Sequence, residues 1–207
     1  MVGPVEKTVS EPTTIDLDFW HRRIKRAREH GNPDPVRAGC YDMSLEHTKI
    51  FRDRTRDLLL THLKPGDKML DVGCGFGSLV ECLSPGAVYL GIDLVPEFIE
   101  EARKTYGSIP DVSFDVVDVS SPAALTRFPT GSFDIAVGRW VDATIGGSLP
   151  SGVWVAVITE LLRIAGKLLL WSPGHLRPKI WEMVNGEPTV TQEYIDGEWP
   201  PVPEEGK

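Results

Sequence analysis

The chain has 207 residues, of which 41% are hydrophobic and 25% charged, and this composition is typical of one globular domain. No apolar run approaches the roughly 20 residues that cross a bilayer, so no membrane contact is expected. Residues 1–14 lack the basic start and apolar block of a secretory signal, which favours a cytoplasmic protein. The formal net charge of −8 argues against a surface that neutralises nucleic-acid phosphates.

The cysteine pattern argues against cross-links and metal. Cys40, Cys74 and Cys82 form no C-x-x-C pair and have no neighbouring histidine cluster. Neither a disulfide framework nor a metal site is therefore expected. We expect each cysteine to be a small buried residue.

The N-terminal quarter of the chain is predicted to be helical. Residues 1–14 are polar, and we expect them to be disordered or loosely packed. The segment 15–63 follows, and its first helix carries Trp20, Ile24 and Ala27 on one apolar stripe. This segment is a possible lid over a ligand site.

A second helix is predicted from Ser44, as its N-cap, to about Leu63, where a turn at Lys64-Pro65-Gly66-Asp67 begins. Proline followed by glycine at the two central positions favours a type II turn. The helix is expected to bury a set of apolar residues. These are Ile50, Phe51, Leu58, Leu59 and Leu63.

The first predicted helix begins a basic segment, which runs over residues 22–37. Its arginines and lysine are either solvated, or paired with the acidic C-terminal stretch, on an amphipathic surface helix. Alternatively, they contact an anionic substrate or RNA. The basic residues are Arg22, Arg23, Lys25, Arg26, Arg28 and Arg37.

From residue 64 onwards, short apolar runs alternate with helical patterns. Such runs, rich in Val, Ile and Leu, indicate strands that are buried on both faces, as in a parallel sheet. The predicted strands are 68–72, 88–92, 112–117, 133–137 and 167–171. The predicted helices are 78–83, 96–106, a short one that opens at Ser121-Pro122, and 151–164, with Gly166 as the expected stop of the last. This alternation predicts a doubly wound, mainly parallel α/β sheet with an N-terminal helical extension and a short C-terminal part, so that the core spans 64–196.

The C-terminal part has two interpretations. Leu176–Val184 forms a short helix that ends near Asn185-Gly186, with a strand over 189–195 after it. Alternatively, the same residues form a hairpin that turns at Asn185-Gly186. Residues 197–207 are predicted to be an extended or disordered tail.

The strongest chemical signal is the run Asp71-Val72-Gly73-Cys74-Gly75-Phe76-Gly77, at the end of the first predicted strand. Alternate glycines let the backbone turn sharply and let a ligand approach the main chain. Asp93 and Asp118 end the second and third predicted strands. Because ligands of open α/β sheets bind at the carboxyl ends of the strands, three acids there indicate a ligand site.

These motifs resemble those of the class I, Rossmann-like S-adenosylmethionine (SAM) dependent methyltransferases. The run from Lys68 to Gly77 is similar to the family's first motif, and the segments around Asp93, Asp118 and 133–137 resemble the following motifs in order. The resemblance implies SAM as cofactor, with its methionine part on the glycine loop, its ribose at Asp93 and its adenine at Asp118. The residues implied as cofactor-binding are Asp71, Gly73, Cys74, Gly75, Gly77, Asp93, Leu94, Asp118 and Val119.

The reaction implied is in-line displacement of a methyl group by a nucleophile of the acceptor. His175 and Asp142 are the candidate general bases, because they follow the fifth and fourth predicted strands. Tyr41, Arg139, Trp140 and His175 are the candidate substrate-binding residues. His47, which also precedes the core, is a further lid candidate.

The favoured function is methylation of a small-molecule acceptor, and an anionic acceptor is one candidate. An RNA or protein methyltransferase that uses the basic segment, or a catalytically silent SAM-binding regulatory subunit, is the alternative. The sequence after the fourth predicted strand, Gly138-Arg139-Trp140-Val141, lacks the Asn/Asp-Pro-Pro-aromatic motif of enzymes that methylate nucleic-acid amino groups. A dehydrogenase is disfavoured, since NAD enzymes more often carry G-x-G-x-x-G after the strand.

Overall fold

The computed structural model describes residues 17–31, 45–139, 141, 150–171 and 178–194, except the side chains of 45–52, 54 and 171. The predicted N-terminal disorder, the tail, the cap at Ser44 and the burial of Cys40, Ile50 and Phe51 lie outside this part. Within it, no helix has the length and apolar character that a membrane crossing requires.

Both N-terminal helices are confirmed. Helix α1 covers Leu17–Glu29 and α2 covers Leu45–His62. The apolar stripe of α1 contributes Ile24, which is buried, and Trp20, which is partly buried. The last turns of α2 place Leu58, Leu59 and Leu63 in the main core, as predicted.

The alternation of strands and helices is also confirmed. Each of the first four strands is followed by a helical element before the next strand begins, and the helix after the third strand has only four residues. The strands are β1 (Lys68–Val72), β2 (Val88–Asp93), β3 (Val112–Val116), β4 (Ile135–Arg139), β5 (Lys167–Trp171), β6 (Lys179–Val184) and β7 (Glu187–Glu193). The helices are a 3₁₀ helix (Ser78–Cys82), α3 (Pro96–Tyr106), α4 (Pro122–Leu125) and α5 (Ser151–Ala165).

Several predicted boundaries were displaced. The fourth strand pairs with β1 from Ile135 onwards, two residues later than the predicted start. Asp134, just before it, is bonded across to β1, since its backbone N–H donates to the Lys68 carbonyl and its Oδ2 accepts the Lys68 N–H at 2.7 Å. The predicted helix at 78–83 is a tighter 3₁₀ segment.

The strands form one sheet in the order β3-β2-β1-β4-β5-β6-β7. Strands β1 to β5 are parallel, and β6 and β7 are antiparallel additions at one edge. The strand order reverses at β1, which pairs with β2 on one side and with β4 on the other. The carboxyl ends of β1 and β4 therefore flank the crevice where doubly wound sheets bind ligands.

Helices cover both faces of the sheet. On one face, α2, the 3₁₀ helix and α3 pack around Met69, Tyr89 and Phe114. On the other, α4 and α5 pack around Leu70, Val72 and their neighbours. Consecutive β1 residues thus enter opposite cores, as the two-residue period of a strand requires.

The turn before β1 and the end of α5 form as predicted. Gly66 has φ +88° and the Asp67 N–H bonds to the Lys64 carbonyl at 3.1 Å, which fits a type II turn. Gly166 ends α5 at φ +67°, and its N–H bonds to the Leu162 carbonyl at 2.7 Å.

The C-terminal part is a hairpin, so the helix interpretation of Leu176–Val184 is wrong. Asn185 and Gly186 have φ of +54° and +85°, the pair of positive values that a two-residue type I′ turn needs. Strand β6 pairs with β5, and this pairing buries Ile180 against the sheet. Burial beside β5 thus outweighs the helical pattern of the segment.

Candidate functional site

The glycine loop lies directly after β1, at the point where the strand order reverses. Gly73, Gly75 and Gly77 have φ of +66°, +55° and +81°, which are left-handed values that favour glycine. A Cβ on Gly77 would lie 2.6 Å from Cε1 of Phe114, and one on Gly73 would lie 3.0 Å from Cγ2 of Val141. The backbone shape and the packing of this loop therefore both require glycine.

Asp93, the last residue of β2, holds the loop from the neighbouring strand. Its Oδ2 accepts the Gly75 N–H at 2.8 Å, and its Oδ1 accepts the Val95 N–H at 2.9 Å. Removal from water raises the pKa of Asp93, and the hydrogen bonds from the amides of Val95, Gly75 and Leu94 oppose this shift. The carboxylate thus links the loop to the start of α3, and each oxygen keeps capacity for a further hydrogen bond.

Asp71 is a buried carboxylate inside β1, and its side chain is 1% exposed. Its Oδ2 accepts the Tyr89 hydroxyl at 2.6 Å, whereas its Oδ1 has no hydrogen-bond partner among the described residues. Burial raises the pKa of Asp71 to about 6, against the opposing effects of the nearby Arg139 charge and of the Tyr89 hydrogen bond. One oxygen of this group therefore still needs a donor.

Arg139, the last residue of β4, reaches over the loop. Its Nη2 donates to Oγ of Ser78 at 2.7 Å, and Ser78 directly follows Gly77. The same guanidinium acts electrostatically on Asp71. A cation and an anion thus lie together at the carboxyl ends of β1 and β4.

Asp118 lies in the loop after β3, where it accepts the backbone N–H of Ser120 at 2.9 Å and the Ser120 hydroxyl at 2.5 Å with the same oxygen. Val119 beside it is 3% exposed. Cys74 is also buried, and its N–H bonds to the Ile92 carbonyl at 3.0 Å. Leu94 is half-buried between Asp93 and the start of α3.

The structure thus brings Asp71, Asp93, Arg139 and the glycine loop together. Asp118 lies after β3, which is separated from β1 by β2. The roles assigned to these residues stay predictions. Tyr41, Trp140, Asp142 and His175 lie outside the described residues, as does the side chain of His47. Within the described ranges, no group of acids, cysteines and histidines has a metal-site arrangement.

Sequence reasoning missed Tyr89 and Ser78. Tyr89 is fully buried, and burial together with the negative Asp71 raises the pKa of its hydroxyl well above the usual range. A tyrosine in a strand predicted to be buried on both faces was a usable signal, because a buried hydroxyl needs a hydrogen-bond partner. Ser78 carried no comparable signal.

Helix α1 lies beside the site. Its residues Trp20 and Ile24 pack against Val95 and Phe98, at the start of the helix that follows Asp93. His21 Nε2 and Glu97 Oε2 lie 3.3 Å apart across the same contact. The opposite face of α1 carries exposed cationic side chains at Arg22, Lys25, Arg26 and Arg28.

Comparison with known proteins gives consistent results. A family profile described as a methyltransferase domain matches residues 69–164. Nocamycin O-methyltransferase of Saccharothrix syringae is 34% identical over 66% of this chain and 48% of its own length. Aklanonic acid methyltransferase of a Streptomyces strain is 28% identical over 66% of this chain and 63% of its own length. The chain therefore spans about half to just under two thirds of these relatives.

Among solved structures, the fold is similar to that of phosphoethanolamine N-methyltransferase 1 of Haemonchus contortus, in complex with phosphoethanolamine and S-adenosylhomocysteine. The TM-score is 0.51 at 15% identity, and the match covers 82% of this chain and 32% of that protein. At this identity the likeness concerns the fold.

Proposed function

Because the chain belongs to the class I SAM-dependent methyltransferase family, whose cofactor is SAM, we propose that it transfers the SAM methyl group to a small-molecule acceptor. SAM supplies an electrophilic methyl group on a sulfonium, which the acceptor's nucleophile displaces in line. The protein's own contribution is to bind and align the two reactants and to exclude water.

The observation that carries this proposal is the Asp93 carboxylate, which bridges the glycine loop and the start of α3 through the amides of Gly75 and Val95. A carboxylate fixed in this way accepts the two ribose hydroxyls with its remaining lone pairs. Gly73, Gly75 and Gly77 let the methionine part of SAM approach the backbone.

The other cofactor contacts follow from the family motifs. Asp71, in β1, and Cys74, in the glycine loop, would lie at the methionine part of SAM, Leu94 would lie at the ribose next to Asp93, and Asp118 with Val119 would hold the adenine. The charges fit this assignment, since SAM carries a sulfonium and an ammonium group but no phosphate. Asp71, Asp93 and Asp118 give the site the negative character that such a ligand favours.

The small-molecule acceptor is supported by two relatives that are named for methylation of nocamycin and aklanonic acid. The exposed cationic side chains of α1, on the face opposite its contact with the start of α3, are the candidate partners of an anionic group on the acceptor. An RNA acceptor would make activity fall steeply with salt, because phosphate contacts release counterions. A weak salt dependence favours the small molecule.

His175 and Asp142 stay candidate bases, and the cytoplasmic location stays a prediction.

The testing experiment is calorimetric titration of the purified chain with S-adenosylhomocysteine, with NAD as the control ligand. We expect saturable binding of S-adenosylhomocysteine and none of NAD. Incubation with labelled SAM and a panel of phenolic, enolic and carboxylic acceptors then tests turnover. Binding of NAD alone contradicts the proposal, whereas SAM binding with no product from any acceptor favours the regulatory-subunit alternative.

A further inference from the structure

The glycine loop, residues 73–77, is contacted at both ends by the short segment at the end of β4. Arg139 Nη2 donates to Oγ of Ser78 at 2.7 Å, directly after the loop. Val141, two residues further along the chain, reaches the start of the loop, because a Cβ on Gly73 would lie 3.0 Å from its Cγ2. One segment therefore packs against the loop at two points.

Val141 is a buried residue in a space that two glycines leave open. It is 1% exposed and belongs to the core between the sheet and helices α4 and α5. A Cβ on Gly138, in β4, would lie 3.0 Å from Cγ2 and 3.1 Å from Cβ of Val141, and 2.8 Å from Cδ2 of Leu170. Gly138 pairs with both neighbouring strands in the regular way, so its missing side chain serves to make room for Val141 and Leu170. Gly73 and Gly138 thus both pack against the same valine.

A loop of alternating glycines needs contacts from outside to hold one conformation. Glycine loses more conformational freedom on ordering than any other residue, and Gly73 has a left-handed φ of +66°. Asp93 holds the loop at Gly75 from the β2 side, with a hydrogen bond of 2.8 Å. At Gly73 the contact is steric, since the branched side chain of Val141 limits the positions that this part of the backbone can take.

We propose that Val141 is a positioning residue for the cofactor, whose side chain, packed against Gly73 and Gly138, fixes the start of the glycine loop in the conformation that binds SAM. This inference rests on the proposed function. Val141 acts through its shape and through the loop, without contact to the cofactor. Removing that shape lets the loop populate other conformations, and the apparent affinity then falls with the fraction of chains that keep the competent one.

The experiment separates the shape of the side chain at position 141 from the stability of the fold. Val141→Ala removes two methyl groups, whereas Val141→Thr keeps the branched shape and replaces one methyl group with a buried hydroxyl, which lowers stability. Val157→Ala is the matched control, because Val157 is 0% exposed and belongs to the same core but lies on α5. Calorimetry measures the dissociation constant for S-adenosylhomocysteine, and urea denaturation measures the free energy of unfolding.

We expect Val141→Ala to bind S-adenosylhomocysteine about three- to tenfold more weakly than the parent, which corresponds to a competent fraction of about a third to a tenth. Val141→Thr should bind close to the parent, although it also loses stability. Val157→Ala should lose stability and keep the parent's affinity. Affinity then follows the shape at position 141 and not the stability of the fold.

A double-mutant cycle tests whether Val141 acts through Gly73. Backbone strain from Gly73→Ala, and any obstruction of the cofactor by the new Cβ, are the same in both backgrounds and cancel in the cycle. The close contact with Cγ2 of Val141 arises in the Gly73→Ala chain and is absent when Val141→Ala is combined with it. We therefore expect Gly73→Ala to weaken S-adenosylhomocysteine binding less in the Val141→Ala chain than in the parent.

Parent-like affinity of Val141→Ala overturns the inference, and so does equal weakening in Val141→Ala and either Val141→Thr or Val157→Ala. An additive cycle overturns it as well, because Val141 then does not act through Gly73. In these cases the parent still binds S-adenosylhomocysteine and the proposed function stands, whereas a parent that does not bind it contradicts both. Circular dichroism checks that each chain is folded, and if Gly73→Ala does not fold, the comparison of Val141→Ala with Val141→Thr decides.

Discussion

Asp71 carries its charge at a place where water does not reach it. Its pKa is about 6, compared with 3.8 for an exposed aspartate, so the folded chain binds this proton more tightly than the unfolded chain does. Consequently the free energy of unfolding should fall as the pH rises from about 4 through 6. For this shift the fall amounts to about 2–3 kcal/mol.

We predict that Asp71→Asn removes this decline, because the amide cannot ionise yet still offers an oxygen to Tyr89. Urea denaturation of parent and variant at pH 4.5, 5.5, 6.5 and 7.5 checks the prediction, and the difference between the two chains at each pH isolates Asp71 from other titrating groups. A constant difference across this range would refute the assignment.

Asp93 has two roles in our proposal: it hydrogen-bonds the glycine loop, and it binds the ribose of the cofactor. Asp93→Ala should weaken S-adenosylhomocysteine binding by about 1–3 kcal/mol, the range for lost hydrogen bonds to a charged group. Asp134→Ala is the control, because Asp134 also accepts a backbone N–H, at 2.7 Å, but at the amino end of β1. Calorimetric titration checks both variants, and equal losses would mean that the Asp93 effect is one of stability alone.

Gly77 lies where the 3₁₀ helix, β3 and α3 pack together. An added Cβ would lie 2.6 Å from Phe114 of β3 and 3.3 Å from Cβ of Ala102 in α3. Gly131 has a similar positive φ, +65° compared with +81°, but no atom within 4 Å of an added Cβ.

We predict that Gly77→Ala lowers the free energy of unfolding by about 1–3 kcal/mol more than Gly131→Ala does, because overpacking adds to the shared backbone strain. Chemical denaturation measures both variants. Similar losses would show that Phe114 moves aside and that backbone strain dominates.

Across the whole molecule, His62 joins the N-terminal helices to the C-terminal hairpin. Its Nε2 lies 2.8 Å from the hydroxyl of Tyr194, directly after β7. Burial, and to a lesser extent the charge of Lys167, lower the pKa of His62 below 6.5. The neutral form is therefore favoured in the folded chain, and this contribution to stability is lost as the pH falls from 6.5 through the lowered pKa.

We predict that His62→Gln reduces the loss of stability on acidification from pH 7 to 5, compared with the parent chain. His30→Gln, at an exposed histidine beyond α1, is the control and should reproduce the parent's loss. Thermal unfolding at the two pH values measures the three chains. An identical loss in His62→Gln would exclude His62 as the titrating group.

The features of this fold that could be predicted from the sequence are those determined by residues close together along the chain. Five strands, the glycine loop and the turn at Gly66 follow from local patterns. The choice at Asn185-Gly186 does not, because asparagine with glycine suits both a helix end and a type I′ turn, and pairing with β5 decides between them. The Tyr89–Asp71 hydrogen bond needs the register of β1 against β2, in which Asp71 pairs with Gly91.

The bridge that Asp93 makes between Gly75 and Val95 has one more consequence. Both hydrogen bonds exist within the chain itself, so the loop is pre-organised and a ligand does not have to order it. Binding should then proceed in one kinetic phase, with an observed rate that rises linearly with ligand concentration, rather than with a plateau set by slow rearrangement.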